Sequence, residues 1–378
     1  ERAVLRPGRD AWTGIRVNHT AAYVEIRGLV VRGNAADITL TEAQANKDKA
    51  IAYYNSGGIS VDARRSVADN SLPAPLDRRA HHIRIVDNEV YENSGGGITS
   101  LEADYITIAN NRVYDNCWWT RYATSGISIF HAWNLHPVTD NYRMFVIGNK
   151  TTGNRTFIPW GLIGEISDGN GIIIDDFINS QESSTIRYQL YAGRTLVQNN
   201  IASFNGGSGI HSYKSNRVVI ANNTAYLNNQ SPELDWGQIF ANTADDVHIV
   251  NNIMYSASGR RIDGTVNVTN MVKQYNQYYR AGGAGAAPPG TGNTWATGGW
   301  VNAAGGNFEL RADSVARDSG SLSAVGAPRS DILGNRRPIG TGIDRGAYEY
   351  DATLPRRLNG SQPLIISLPA VKPAVASP

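Results

Sequence analysis

One motif recurs along this chain often enough to dictate its architecture. It consists of alternating apolar residues, an Asn or an Asn-Asn pair, a short apolar strand, a further Asn, and then a Gly-Ile step. The series reads Ile83-Arg-Ile-Val-Asp-Asn88 with Asn93 and Gly97-Ile98, then Ile106-Thr-Ile-Ala-Asn-Asn111 with Asn116 and Gly126-Ile127. Later copies centre on Asn149, Asn200, Asn223 and Asn252, with Gly-Ile steps at Gly171-Ile172 and Gly209-Ile210, and an early worn copy closes at Gly58-Ile59. The tightest spacing is 23 residues, from Asn88 to Asn111 and from Asn200 to Asn223. That length holds three short strands and three turns, and no repeat contains a helical period. Such strands bury their apolar face only against the next copy, so the expected fold is all-β, a single-stranded parallel β-helix of about 23 residues per coil. Asparagine at equivalent turns tolerates left-handed backbone angles and stacks as an amide ladder between coils.

Residues 1–350 read as one domain, with residues 277–304, rich in Gly, Ala, Pro and Thr, as a long surface segment. Residues 351–378 read as a proline-rich extension or tail. Insertions at 35–57, 63–80, 132–142, 155–168 and 178–190 leave the coil at its turns and would wall a groove on one side.

Thirty-five basic against 33 acidic side chains leave a net charge of +2, which argues against a nucleic-acid or membrane partner. The lone cysteine, Cys117, excludes intrachain disulfides and cysteine metal clusters. The segment 1–10 carries no apolar leader core.

Equivalent positions of successive coils stack about 4.8 Å apart, so aligning the coils on the Gly-Ile step groups distant residues into columns. Three positions after the Ile lies the outward column Asp62, Leu101, Phe130, Asp175, Tyr213, Ala241; one further lies Ala63, Glu102, His131, Asp176, Lys214, Asn242. One position after the Ile come Ser60, Thr99, Ser128, Ile173 and His211. Glu102, His131, Asp175, Asp176, His211, Tyr213 and Lys214 therefore fall on one exposed strip. Lysine occurs six times against 29 arginines, yet one stands in the column beside Asp176. The run Ser167-Asp168-Gly-Asn-Gly-Ile-Ile-Ile-Asp175-Asp176 places three carboxylates in one coil.

The Asn-Asn turns and Gly-Ile steps of residues 24–270 resemble the right-handed parallel β-helix superfamily of pectate lyases and their relatives. The segments 308–320 and 342–349, the latter Gly-Ile-Asp-Arg-Gly-Ala-Tyr-Glu, are similar to the tail closing many secreted β-helix polysaccharide lyases. The resemblance implies β-elimination on a uronic-acid-containing polysaccharide, by a monomeric secreted or periplasmic protein. On that reading Lys214 is the base, Asp168, Asp175 and Asp176 hold calcium as oxygen ligands, and Tyr213, His211 or His131 donates to the leaving group. The lysine of the family's Gly-Phe-Lys pattern falls at His211 here, three residues before Lys214. A metal-free version has Arg121, Arg155 or Arg194 neutralise the substrate carboxylate. Trp118, Trp119 and Trp160 offer ring faces to sugars, and Glu102 and Asn242 supply polar contacts. The alternative is an inverting glycoside hydrolase similar to polygalacturonases, using Asp168, Asp175 and Asp176 with His211. A non-catalytic glycan-binding solenoid is the third class.

Overall fold

In the computed structural model the described residues are 3–64, 79–137, 141–283 and 285–353. Three strand faces stack coil upon coil, with every pairing between coils parallel. The first face carries the Gly-Ile strands: Thr13–Asn18, Gly57–Asp62, Ile127–Ala132, Ile172–Asp175, Ile210–Tyr213, and the opening halves of Ile98–Ala109, Ile239–Val250 and Asp263–Gln274. The second face carries the strands ahead of the asparagine turns, such as His81–Val86, Tyr142–Ile147, Arg194–Gln198 and Val218–Ala221. The third is a 10-stranded sheet of two- to four-residue strands, including Glu89–Tyr91, Arg112–Tyr114 and Lys150–Thr152. Inward Ile and Val of all three faces merge into one core that runs from Val17 to Tyr278.

The hydrogen-bonded path differs from the open ladder of a simple solenoid. Ile98–Ala109 and Ile239–Val250 each run 12 residues across a corner and pair on both the first and second faces. Eight parallel strands therefore close into a ring. The corner is tight enough to need left-handed backbone without breaking the strand: Glu102 and Thr243 have φ of 51° and 52°.

At the next corner the two asparagines of the repeat divide the work. The residue before the ladder position takes the left-handed angle (Asp87, Asn110, Asn199, Asn222, Asn251), and the second asparagine stays buried and builds the ladder. Each ladder Oδ1 accepts the backbone N–H and side-chain Nδ2 of its neighbour one coil back, as in Asn111 to Asn149 at 3.0 Å for both. The chain of amides runs Asn88, Asn111, Asn149, Asn200, Asn223, Asn252, Asn276. A second ladder runs Asn93, Asn116, Asn154, Asn205, Asn228 and ends on Gln238. The glycine of the Gly-Ile step sits where the first and third faces converge: a Cβ at Gly97 would lie 2.4 Å from Val113 Cγ1.

Residues 277–304 are not irregular throughout. Gln277–Arg280 and Thr294–Trp295 add two strands to the third face. The C-terminal segment then folds back over that face, burying Trp300, Phe308, Ile332 and Tyr348 against Ile201, Tyr226 and Ile253. Within the 35–57 insertion, short helices Leu40–Ala45 and Ala52–Asn55 form a satellite core with Trp119 and Ile158. Residues 354–378 of the expected tail lie outside the described residues.

Candidate functional site

The strand register sets the columns. Asp62, Leu101, Phe130, Asp175 and Tyr213 pair in succession, as do Ser60, Thr99, Ser128, Ile173 and His211. The next coil departs by one residue from the sequence alignment: Asn242 pairs with Tyr213, and Ala241 with Ser212. This coil lacks the Gly-Ile dipeptide, and its inward residue is Ile239 rather than Gln238. Phe240 therefore stands beside His211, a neighbour that the shifted alignment hid.

The corner column is buried rather than exposed. Glu102, His131 and Asp176 show 0% exposure and, with Lys214, occupy left-handed backbone. The insertion after Asp176 covers them. Glu102 accepts from Thr185 N and Oγ1 and pairs with Arg79, so it staples that segment to the coil and does not face a ligand. Asp176 accepts from Ser180 N at 3.0 Å, Ser180 Oγ at 2.9 Å and Gln181 N at 2.7 Å, and contacts His131 Nε2 at 3.1 Å. Burial alone would raise its carboxyl, but the hydrogen bonds of His131, Ser180 and Gln181 hold it below the usual carboxylate range. Asp176 is thus an ionised, fully engaged anchor. Lys214, one coil on, donates from Nζ to the same Ser180 Oγ at 3.0 Å, with Nζ 5.3 Å from the Tyr213 ring centroid. Ser180 bridges the two charges.

Asp175 points outward, half-buried, and accepts from Gln181 Nε2 at 3.2 Å. Burial, then the nearby charges of Asp168 and Asp176, push its carboxyl well above the ordinary value against the pull of Lys214. Asp168 enters from the loop ahead of the same strand, in left-handed backbone at φ 60°. Its oxygens accept from Asn170 Nδ2 at 3.0 Å, Ser167 Oγ at 3.2 Å and Ser125 Oγ at 3.4 Å, and burial still raises it to about 6. His211 is 5% exposed, stacked on Phe240 at 4.6 Å, with Trp236 at 5.6 Å and Tyr213 at 5.9 Å. Among the described residues neither of its ring nitrogens, both buried, has a hydrogen-bond partner, and burial lowers its pKa to about 3, so the imidazole is neutral. One of its nitrogens donates and the other accepts, both uncommitted.

The remaining candidates divide by edge. Trp119 is buried in the satellite core, its Nε1 donating to Ala35 O at 2.8 Å, so it does not reach a sugar. Trp118 packs edge-on against Trp119 and Phe157. Arg121 binds Asp48 O, the Arg155 guanidinium sits 4.8 Å over Phe157, and Trp160 closes a turn through Gly164 N. Arg194 belongs to the second face, paired with Asp246 at 2.9 Å, away from the strip. Among the described residues no group of three His, Cys, Asp or Glu is placed to hold a metal ion. Of the three aspartates of the 168–176 run, Asp176 is saturated by backbone and hydroxyl donors. Sequence reasoning missed Ser180, Gln181, Trp236 and Phe240; only Phe240 carried a signal, its place in the column one after the Ile.

No protein-family model matches the chain, and no curated protein matches it. Among solved structures it is similar to the Dettilon tailspike protein gp208, at 14% identity and a TM-score of 0.41, covering 79% of this chain and 58% of the tailspike. It is similar also to the A-module of mannuronan C-5 epimerase AlgE6 from Azotobacter vinelandii, at 15% and 0.34, covering 78% and 81%. A third is XylC in complex with xylose, at 12% and 0.41, covering 90% and 62%. The chain thus spans less than two thirds of the tailspike and of XylC. At these identities and scores the likenesses carry neither activity nor substrate to this chain.

Proposed function

We propose that the first face is the active site of a carbohydrate-active enzyme that hydrolyses glycosidic bonds, with Asp168 and Asp175 as its acid–base pair. One observation carries this reading: two half-buried carboxyls of one coil both titrate above the ordinary range, Asp168 through burial and Asp175 through burial together with the charge of Asp168. A carboxyl that keeps its proton near neutrality is what a departing glycosidic oxygen needs, and the other carboxyl, once ionised, can activate water. Ionised Asp176 behind the strand helps keep Asp175 protonated. Behind Tyr213, the neutral imidazole of His211 packs against Phe240 and Trp236. The polymeric substrate implies work outside the cytoplasm.

Beta-elimination is the second reading, and Lys214 is what favours it. Its Nζ lies 5.3 Å from the Tyr213 ring centroid on the coil next to Asp175, where an amine base and a phenol donor would flank a uronate. Product analysis separates the two. Hydrolysis yields new reducing ends without ultraviolet absorbance, and elimination yields an absorbing unsaturated end. Asp175→Asn and Asp168→Asn should each lower kcat by about 100-fold or more with the fold retained. Near-normal turnover in either variant, on a glycan the parent cleaves, removes that residue from the mechanism.

A further inference from the structure

Trp12 and Tyr122 are 110 positions apart in sequence, yet their rings stand 6.5 Å apart, inclined at 49°. They are 47% and 41% exposed. Large aromatic rings left side by side in water forgo the burial that would stabilise them, and such pairs mark contact surfaces. Their backbones, by contrast, are pinned. Trp12 O accepts from Gly57 N at 2.9 Å, which fixes the entry to the first strand of the first face. Tyr122 N donates to Thr120 Oγ1 at 3.0 Å; Thr120 Oγ1 in turn donates to buried Asn55 Oδ1 at 3.0 Å, and Arg121 N reaches the same oxygen at 3.1 Å. Buried Trp119 anchors the loop in the satellite core. The platform is preorganised, with rigid backbone and free ring faces.

Its position gives it a use. Trp12 precedes the strand Thr13–Asn18, Tyr122 precedes Gly126-Ile127, and Asp168 precedes Ile172–Asp175, all at the strand-entry edge of the first face. Gly169 N donates to Thr124 O at 2.8 Å, tying the Asp168 loop to the Tyr122 loop. The rings lie up to four coils toward the N-terminus from Asp168, which at ~4.8 Å per coil is up to roughly 20 Å. We infer that Trp12 and Tyr122 form a sugar-stacking subsite that holds the glycan chain several residues from the cleaved bond. The inference rests on the first face being the glycan site. The occupant is a pyranose presenting its C–H face to the rings, which needs no charged partner.

The test uses the full chain carrying Asp175→Asn, in native affinity electrophoresis through gels containing xylan, galactomannan, polygalacturonate or alginate. The parent should be retarded by at least one polymer. Adding Trp12→Ala with Tyr122→Ala should weaken that retardation at least tenfold, Trp12→Phe should keep it, and Trp12→Leu should not. Both residues are exposed, so thermal melting should barely move. Unchanged retardation in the double variant, or no retardation of the parent by any polymer, overturns the subsite. Full turnover in the Asp175→Asn protein would instead overturn the acid–base pair, and retardation would still judge the rings.

Discussion

Asp168 and Asp175 show what the stacked coils do to single side chains. Both carboxyls would ionise freely on a flexible loop; here burial makes the charged form costly. For Asp168 the folded value of about 6 lies above the ordinary 3.8, so the fold binds that proton more tightly than the unfolded chain does. Its stabilising contribution is complete below about pH 4 and is lost as pH climbs through about 6. Asp168→Asn should therefore flatten the fall in melting temperature between pH 5 and pH 8, while it removes activity. Gain of stability with loss of turnover is the mark of a strained functional group. A variant whose melting temperature falls with pH as steeply as the parent's would contradict the assignment.

At the scale of elements, two devices hold the site in shape. The first is the amide ladder. Asn149 Oδ1 accepts two hydrogen bonds from Asn111, and Asn149 Nδ2 donates to Ile108 O at 2.8 Å and to Asn200 Oδ1 at 3.0 Å, all in the dry interior. Asn149→Ala leaves those partners unsatisfied and should cost about 2–4 kcal/mol in denaturant unfolding. The second is the segment after Asp176, clamped by Glu102 to Thr185 and Arg79. Glu102→Gln breaks a buried pair, at a cost of about 3–5 kcal/mol. It should also raise protease cleavage within 177–193, because Glu102 takes both the backbone N–H and the hydroxyl of Thr185. Unaltered cleavage there would show that the segment is held by other contacts.

For the whole molecule, the C-terminal fold-back is fastened to the solenoid by a buried polar cluster. Arg337 donates to Asp344 O and Gly346 O, both at 2.9 Å, and Glu349 accepts from Ile339 N at 2.8 Å and Asp344 N at 3.0 Å. Asn222 Nδ2 reaches Asp344 O at 2.9 Å, so a corner asparagine of the repeat becomes the dock. Burial raises Glu349 to about 7. Its folded value again exceeds the unfolded one, so its contribution is full below about pH 4.5 and fades as pH rises through about 7. The melting temperature of the parent should fall from pH 5 to pH 8, and Glu349→Gln should remove part of that slope. A slope unchanged by the substitution would place the titration elsewhere.

The repeat by itself determined the stacked parallel coils, the ladder asparagines and the pairing of Asp175 with Tyr213, because period and register are local properties that every coil restates. It misplaced Asn242 where the Gly-Ile landmark was missing. Which column residues meet solvent was decided by segments that break the period. The stretch after Asp176 sealed Glu102, His131 and Asp176 and left Asp175 half-buried. The 35–57 insertion buried Trp119 and left Tyr122 exposed. Insertions carry no register of their own, so their landing places follow from long-range packing that only the folded chain computes.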